Sequence, residues 1–238
     1  EMDRVSQGMI DGIANIQGDK NIEENCYDCT KSIDQHINDI FPQLKRNPNK
    51  SLISVQHEAG LTETQNRANV KLAISGGQNE PRDAISGTIF ALLRNQDQLD
   101  LIINHEYSWL NAFEEYSRWM SPIGMSPRRI TKNIVIENIQ FEKNERIFFM
   151  FGSGNRDEEI FDNPEEFNIT RKLNASLAFG AGPHFCAGAW ISRCLIGEVA
   201  LPLLFEYFPN IELDYSHGEV SFVGWAFRGP IEVNCIYN

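Results

Sequence analysis

One cysteine of the chain has neighbours that favour chemistry at its sulfur. Cys186 lies in residues 179–188, FGAGPHFCAG, directly before a segment with strong helical periodicity. Free backbone N–H groups and the dipole at the start of a helix favour a thiolate over a thiol. Gly180, Gly182 and Gly188 carry no side chain, so the backbone there can approach a flat ligand closely. These residues alone leave two interpretations open, an inert cysteine packed as a small hydrophobe and a reactive or metal-binding thiolate.

The same stretch resembles the haem-binding signature of the cytochrome P450 family, F-x-x-G-x-H/R-x-C-x-G. Every fixed position matches, namely Phe179, Gly182, His184, Cys186 and Gly188. The resemblance implies that Cys186 ligates haem iron and pushes electron density toward it, which favours O–O cleavage. It also implies that Phe179 packs beside the sulfur and that His184 hydrogen-bonds a haem propionate. Gly180, Gly182 and Gly188 would then let the loop and the helix start lie against the porphyrin.

A Glu-x-x-R pair and an arginine upstream of this stretch follow the order found in the family. Glu115 and Arg118 are three residues apart, so both side chains lie on one face of a predicted helix. Such pairs are usually surface ion pairs of little energetic value, but the order of the elements favours the E-x-x-R pair of the family. Arg129 matches the position from which an arginine of the family reaches a propionate, and a planar, permanently charged guanidinium suits that carboxylate.

An irregular stretch between the pair and the cysteine resembles the meander of the family. It is matched by residues 155–157 and 161–167, inside a run from 152 to 182 that is rich in Gly, Asn, Asp and Pro. The family commonly places Arg or His before the second Phe of this stretch, completing a triad with the Glu and the Arg. Glu166 stands there instead. Glu166 can pair with Arg118 but would repel Glu115, so the sequence leaves the three-way network open.

A long central helix is expected from Glu63 to Arg94, opened by a capping box at Thr62 and Gln65. Residues 76, 77 and 81 are Gly, Gly and Pro. In a helix interior these breakers cost about 1 kcal/mol for Gly and about 3 kcal/mol for Pro. Their presence indicates a boundary or a functional distortion of the helix.

That distortion resembles the oxygen-binding kink of the family, in which glycine is followed by an acid and an alcohol. The alignment places the acid on Asn79 and the alcohol on Glu80, so the usual pair is absent. Glu80 is the carboxylate at the kink and our candidate for proton delivery. Gly76 and Gly77 would leave room for O2. An alternative is that proton relay is poor and that peroxide serves as the oxidant.

Composition excludes several classes of protein. The formal net charge of -12 and the absence of clustered Lys and Arg argue against a nucleic-acid surface. No apolar run approaches the roughly 20 residues that cross a bilayer, so we expect no membrane association. Five cysteines without framework spacing favour a reducing compartment and a cytoplasmic location. Cys26 and Cys29 form a C-x-x-C without a second ligand pair, at helical spacing that favours a structural role.

The elements around these motifs predict a mainly α fold with a minor β component. Helical periodicity dominates the first half, and short β-type segments at 134–136 and 146–151 follow. A final helix is expected at 188–205 and further strands at 220–223 and 231–233. The resemblance implies the C-terminal portion of the P450 fold. We therefore expect 1–238 to be a partial catalytic domain without the N-terminal helices, with pocket-covering helices at 1–60 and a haem-binding core at 61–238.

The function implied by the resemblance is that of a haem-dependent monooxygenase. It would insert one oxygen atom from O2 into a small organic substrate with haem b as cofactor. Because the chain has no flavin or iron–sulfur motif, electrons from NAD(P)H would arrive through a separate ferredoxin and ferredoxin reductase. Two alternatives stay open, a non-catalytic haem-binding fragment and a peroxide-using peroxygenase.

Overall fold

A computed structural model of the chain describes residues 1–173 and 176–237. The described residues divide into two compact units, 1–79 and 80–238. The boundary that we predict at residue 60 falls inside the first unit, where Val70 and Ile74 of one helix pack against the same apolar cluster that contains Ile53 of the preceding helix. Within the described residues no helix is long and apolar enough to cross a bilayer.

The first unit consists of four helices, α1 Met2–Ala14, α2 Lys20–Arg46, α3 Leu52–Glu58 and α4 Glu63–Ser75. Its core is formed by the apolar faces of these helices, with buried Val5, Met9, Cys29, Ile33, Ile37, Phe41 and Ile53. Several of these residues recur at three- or four-residue spacing, as amphipathic helices require. The helices predicted from periodicity are thus present.

Helices α1 and α2 approach closely because two glycines of α1 face the two cysteines of the C-x-x-C. A Cβ at Gly8 would lie 2.5 Å from the Cys29 Sγ, and a Cβ at Gly12 would overlap the Cys26 Sγ. Cys29 is fully buried, and burial raises the pKa of the Cys26 thiol. Both cysteines therefore serve as packing residues of a helix pair.

The predicted central helix is two helices in the structure. Thr62 caps α4 in the expected capping box with Gln65, and α4 ends at Ser75. Residues 76–78 form a turn, and α5 then runs over Asn79–Arg94. A Cβ at Gly77 would lie 2.5 Å from the Ala73 carbonyl oxygen, so the tight turn needs a residue without a side chain. Pro81 fits the first turn of α5, where no N–H has a helical partner.

The second unit is built on α5, α6 Gln96–Ile103 and α7 Trp109–Met120. Ser108 caps α7 in a further capping box with Asn111. The core of the unit joins these helices to the final helix and to the irregular stretch, and includes Leu92, Phe113, Tyr116, Ile169, Ile196 and Leu201. Helix α7 lies inside this core and carries the Glu-x-x-Arg pair.

Among the described residues, four small antiparallel pairs of strands complete the second unit. They are β1 Ser126–Arg129 with β4 Arg146–Phe149, β2 Ile134–Ile136 with β3 Ile139–Phe141, β5 Glu212–Leu213 with β8 Cys235–Ile236, and β6 Phe222–Val223 with β7 Gly229–Pro230. The strand predicted at 231–233 is wrong, because the chain pairs at Gly229–Pro230 and Cys235–Ile236 on either side of it. A short helix, α8 Phe151–Gly154, opens the irregular stretch, whose residues 174 and 175 lie outside the described residues.

The final helix runs from Ala189 to Tyr207 but is not a single α-helix. It consists of α9 Ala189–Ser192, a π-helical segment Arg193–Ala200 and α10 Leu201–Tyr207. The N–H of Leu201 donates to the Ile196 carbonyl oxygen, five residues back. Pro202, which has no N–H to donate, stands where α10 begins. The mainly α fold with a minor β component is confirmed.

Candidate functional site

The thiolate loop, residues 179–188, holds Cys186 by a backbone hydrogen bond across its own turn. The N–H of Cys186 donates to the Phe179 carbonyl oxygen at 2.9 Å. Gly180 and Gly182 have φ of +69° and +64°, a region that residues with a Cβ rarely adopt. A Cβ at Gly188 would stand 3.7 Å from the Cys186 Sγ. The glycines therefore allow this path of the chain and keep the surroundings of the sulfur clear.

The sulfur itself is available. Cys186 is exposed and free, and its sulfur makes no hydrogen bond within the described part of the chain. His184 lies two residues before it on a short 3-10 turn, Gly182–His184, and is also exposed. An accessible thiol, a nearby imidazole and a glycine backbone form a donor set that fits a flat, iron-containing ligand with acidic substituents.

Phe179 anchors the loop to the core. Its ring packs edge-to-face on Phe113 of α7, with centroids 6.1 Å apart. The guanidinium of Arg193, on the π-helical segment, lies over the Phe179 ring at 4.7 Å and pairs with Glu114 of α7. The position of the loop is thus set by α7 and by the final helix together.

Glu115 and Arg118 form a fully buried ion pair, with both side chains 0% exposed. The Arg118 Nε and Nη2 donate to the two carboxylate oxygens at 2.8 and 2.7 Å. The same guanidinium donates to three carbonyl oxygens of the irregular stretch, those of Asn155, Pro164 and Glu166. Arg118 therefore fastens the meander to α7, which a surface ion pair would not do.

Arg171 supplies the third member of this network, which the sequence left open. Its Nε lies 3.3 Å from Glu115 Oε1, and the Asn168 N–H donates to the same oxygen at 2.9 Å. The Glu166 side chain is exposed, and that residue contributes only its backbone carbonyl. The cation of the network is thus Arg171, five residues after Glu166, where the meander folds back on Glu115. The sequence carried no local signal for this contact.

Two neighbouring arginines of β1 point to opposite sides of the strand, as alternation requires. Arg129, our candidate for a propionate contact, is exposed. Arg128 is partly covered, with its Nη1 donating to the Ser126 Oγ at 2.7 Å and its guanidinium over the Phe149 ring. The role of Arg129 stays a prediction, and Arg128 becomes a second candidate for the same contact.

The kink residues are divided between the two units. Gly76, Gly77 and Asn79 belong to the first, where Asn79 is buried and its Nδ2 has no hydrogen-bond partner among the described residues. Glu80 opens the second unit, and its Oε2 is buried, likewise without a partner in the part of the chain that is described. Burial raises the pKa of the Glu80 carboxyl, and the nearby Asp83 carboxylate raises it further. A carboxyl of this kind holds a proton at higher pH than an exposed one.

The stretch from the Glu-x-x-Arg pair to the thiolate loop matches a family model. The model for cytochrome P450 covers residues 110–212, from α7 to β5. Over this stretch the chain resembles the cytochrome P450 family. It is similar to the biotin biosynthesis cytochrome P450 of Bacillus subtilis strain 168, with 29% identity over 182 residues, which are 75% of this chain and 46% of that protein. It is also 37% identical over 122 residues to the steroid C26-monooxygenase of Mycolicibacterium smegmatis, across 51% of this chain and 30% of the relative.

Solved P450 structures share the fold. P450BioI in complex with an acyl carrier protein ligated to hexadec-9Z-enoic acid aligns with a TM-score of 0.90 and 26% identity, over 100% of this chain and 61% of that one. The chain spans about half the length of the curated relatives that it matches. A match to only part of each relative agrees with the predicted C-terminal portion of the fold. The family implies haem as cofactor and monooxygenase chemistry.

Proposed function

We propose that this chain binds haem b through the Cys186 thiolate and forms the haem-binding core of a monooxygenase. The observation that carries the proposal is the thiolate loop, in which an exposed cysteine sulfur is surrounded by glycines and fixed to the core through Phe179. The substrate would be a small organic molecule that receives one oxygen atom from O2. The second atom leaves as water, which consumes two protons and two electrons.

The residues of the chain have distinct proposed tasks. Bound haem supplies the iron at which O2 is activated, and a thiolate ligand favours O–O cleavage. Cys186 would hold the iron, while His184 and either Arg128 or Arg129 would hold the propionates. The porphyrin face would have room at Gly180, Gly182 and Gly188. O2 would have room at Gly76 and Gly77. Glu80 would hold a proton at its carboxyl oxygen, with Asn79 in the position of the family's acid.

The proposal is tested by the carbon monoxide difference spectrum of the reduced, haem-reconstituted chain. We expect a band at the position of a thiolate-ligated haem, and we expect Cys186→Ser to abolish it. Cys194→Ser is the matched control, because Cys194 is the other exposed cysteine and lies on the next segment of the chain. A thiolate band that survives in Cys186→Ser, or that disappears equally in Cys194→Ser, would remove Cys186 as the ligand.

The propionate contacts are separated by a second experiment. Arg128→Gln and Arg129→Gln are compared for the rate at which haem transfers to a competing haem acceptor. The variant that loses its propionate contact releases haem several-fold faster, and the other stays near the wild type. Equal rates of haem transfer in both variants and the wild type would exclude both arginines as propionate contacts.

The electron source is expected to be a ferredoxin and a ferredoxin reductase, and the oxidant to be O2. The absence of an alcohol after Asn79 favours one alternative, use of peroxide in place of O2 and electrons. Product formation with NAD(P)H and the two redox proteins is therefore compared with formation driven by hydrogen peroxide. The P450BioI complex suggests the first substrates to test, fatty acids free and bound to a carrier protein.

A further inference from the structure

A second carboxyl lies one helical turn beyond Glu80. Asp83 is three residues further along α5, so both carboxyls lie on one face of the helix. The Asp83 carboxylate packs directly on the backbone of β7, because a Cβ at Gly229 would stand 2.5 Å from its Cγ and 2.8 Å from its Oδ2. Arg82, which is 58% exposed, holds only the other oxygen, with its Nε 3.1 Å from Oδ1. Burial raises the pKa of the Asp83 carboxyl despite this arginine.

A tyrosine hydroxyl lies one turn further along the same face of α5, at Gly87. Tyr116 of α7 is fully buried, and its ring lies on Gly87 of α5, where any Cβ would overlap the hydroxyl. The Oη has no hydrogen-bond partner among the described residues. Burial raises the pKa of this phenol, the charge of Asp83 raises it further, and the charge of Arg228 opposes both. The hydroxyl is therefore within electrostatic reach of Asp83 and of Arg228.

Arg228 is the cation that acts on the Tyr116 hydroxyl. Its side chain runs between two glycines, since a Cβ at Gly124 would stand 2.6 Å from the Arg228 Cδ and a Cβ at Gly152 would stand 2.6 Å from its Nη1. It makes no ion pair with any described residue, and burial lowers the pKa of its guanidinium. The like charge of Arg156 lowers that pKa further.

Glu80, Asp83 and the Tyr116 hydroxyl at Gly87 lie along one face of α5, and no hydrogen bond joins them among the described residues. Leaving a donor or acceptor buried and unsatisfied costs about 1–3 kcal/mol, and native proteins rarely keep such groups unless ordered water satisfies them or a function requires them. Two such atoms, Glu80 Oε2 and Tyr116 Oη, lie on either side of Asp83 along one helix face. A purely structural core would fill this region with apolar side chains.

We propose that Asp83 and Tyr116 form a proton relay that recharges Glu80. The inference rests on the proposed function and extends it to the path by which protons arrive. In each step the O–H bond of Asp83 breaks as an O–H bond forms on the Glu80 carboxylate. Tyr116 passes its proton to Asp83, through water where needed, and takes one from water oriented by the Arg228 cation. Protons move and no electron does, and solvent is the source.

The relay makes Asp83 and Tyr116 positioning residues that act through Glu80. The charged and titratable groups coupled to Asp83 are Glu80 and Arg82 of its own helix and Tyr116 of α7. Arg228 acts on Tyr116. The phenol serves while neutral, because it gives one proton as it receives another. Its raised pKa suits that use and excludes a stable phenolate at neutral pH.

The first test uses the haem-free chain and measures protonation directly. Infrared difference spectra over a pH series resolve the C=O bands of protonated carboxyl groups. We expect Asp83→Asn to remove one band that persists to unusually high pH and to lower the pKa of the Glu80 band, because the neighbouring negative charge is gone. Asp100→Asn, an exposed change on α6, is the control and should alter neither. A Glu80 band that titrates identically in the wild type and in Asp83→Asn would overturn the relay.

The second test uses the haem-loaded chain with ferredoxin, its reductase and NADPH. Asp83→Asn and Tyr116→Phe should each release several-fold more hydrogen peroxide per NADPH and show a larger rate loss in D2O, while Asp100→Asn behaves as the wild type. A Tyr116→Phe variant that is more stable but has an unchanged solvent isotope effect would reduce the hydroxyl to a packing defect. A wild type without a thiolate band would refute the proposed function, and the infrared titration would still decide whether the two carboxyls interact.

Discussion

Replacement of Glu115 by glutamine tests whether the meander is held by a buried charge. The Glu115 carboxylate accepts hydrogen bonds from Arg118 at 2.8 and 2.7 Å, from the Asn168 N–H at 2.9 Å and from Arg171 at 3.3 Å. Glutamine keeps the shape but removes the charge, which leaves Arg118 buried without a counterion. Breaking such a pair costs about 3–5 kcal/mol. Because three carbonyl oxygens still accept from Arg118, we expect a loss near 3 kcal/mol, a large part of the roughly 5–15 kcal/mol of a typical domain.

The assay is urea unfolding followed by circular dichroism, with free energies compared at equal m-value. Glu165→Gln is the matched control, since its pair with Arg156 has a carboxylate that is 72% exposed and such pairs contribute about 0–1 kcal/mol. The loss of stability in Arg171→Gln should fall between those two. The change removes a bond to the Glu115 carboxylate, worth about 1.5–3 kcal/mol, and exposed bonds to the Asp162, Asn163 and Glu166 carbonyl oxygens, but it keeps Arg118 paired. If Glu115→Gln lost no more free energy of unfolding than Glu165→Gln, the buried network would not hold the meander and the reasoning would fail.

Three more predictions concern stability. Gly87→Ala should lower the free energy of unfolding by about 1–3 kcal/mol, because the new methyl overlaps the Tyr116 hydroxyl. Adding Tyr116→Leu should recover part of this loss in a double-mutant cycle, and simple additivity of the two changes would contradict the contact. Burial raises the pKa of Glu80, so the stability of the wild type relative to Glu80→Gln should fall as pH rises through that raised pKa. Urea midpoints measured over a pH series would reveal this fall. A stability difference that does not change with pH would argue that the carboxyl is solvated. In the first unit, burial acts to raise the pKa of Asp34, but hydrogen bonds from Lys71 and Arg67 outweigh it and hold that pKa below its usual range. Asp34→Asn should therefore lose stability at neutral pH, and the difference should vanish as pH falls through that lowered pKa; a difference that persists in acid would point to packing instead.

The sequence was sufficient where local chemistry decides the outcome. The loop around Cys186 is rich in glycine, which tolerates positive φ, and Gly180 and Gly182 adopt it. Thr62 and Gln65 predict a helix start that the capping box forms. The Gly-Gly pair at 76 and 77 predicts an interruption, because a glycine turn satisfies the backbone where a helix would be strained. In each case residues within one or two turns of each other fix the result.

The sequence was insufficient to predict features that depend on contacts between residues far apart in the chain. Arg171 reaches Glu115 because the meander folds back over more than fifty positions, and no local pattern announces that return. The choice between Arg128 and Arg129 depends on which face of β1 is covered, which pairing with β4 determines. The chain at 231–233 has β-type residues, yet its neighbours on both sides pair instead. These outcomes depend on tertiary contacts that override local preference.

The π-helical segment Arg193–Ala200 gives the final helix one residue more than an α-helix of the same rise would need. Such segments are rare and frequently lie near functional sites, as this one does beside the thiolate loop. A deletion of a single residue between 193 and 200 would convert the segment to α-helix and leave Ala189 and Leu201 on their present sides of the core. The helix is therefore a place where the length of the chain can change by one residue without displacing the cysteine loop that precedes it.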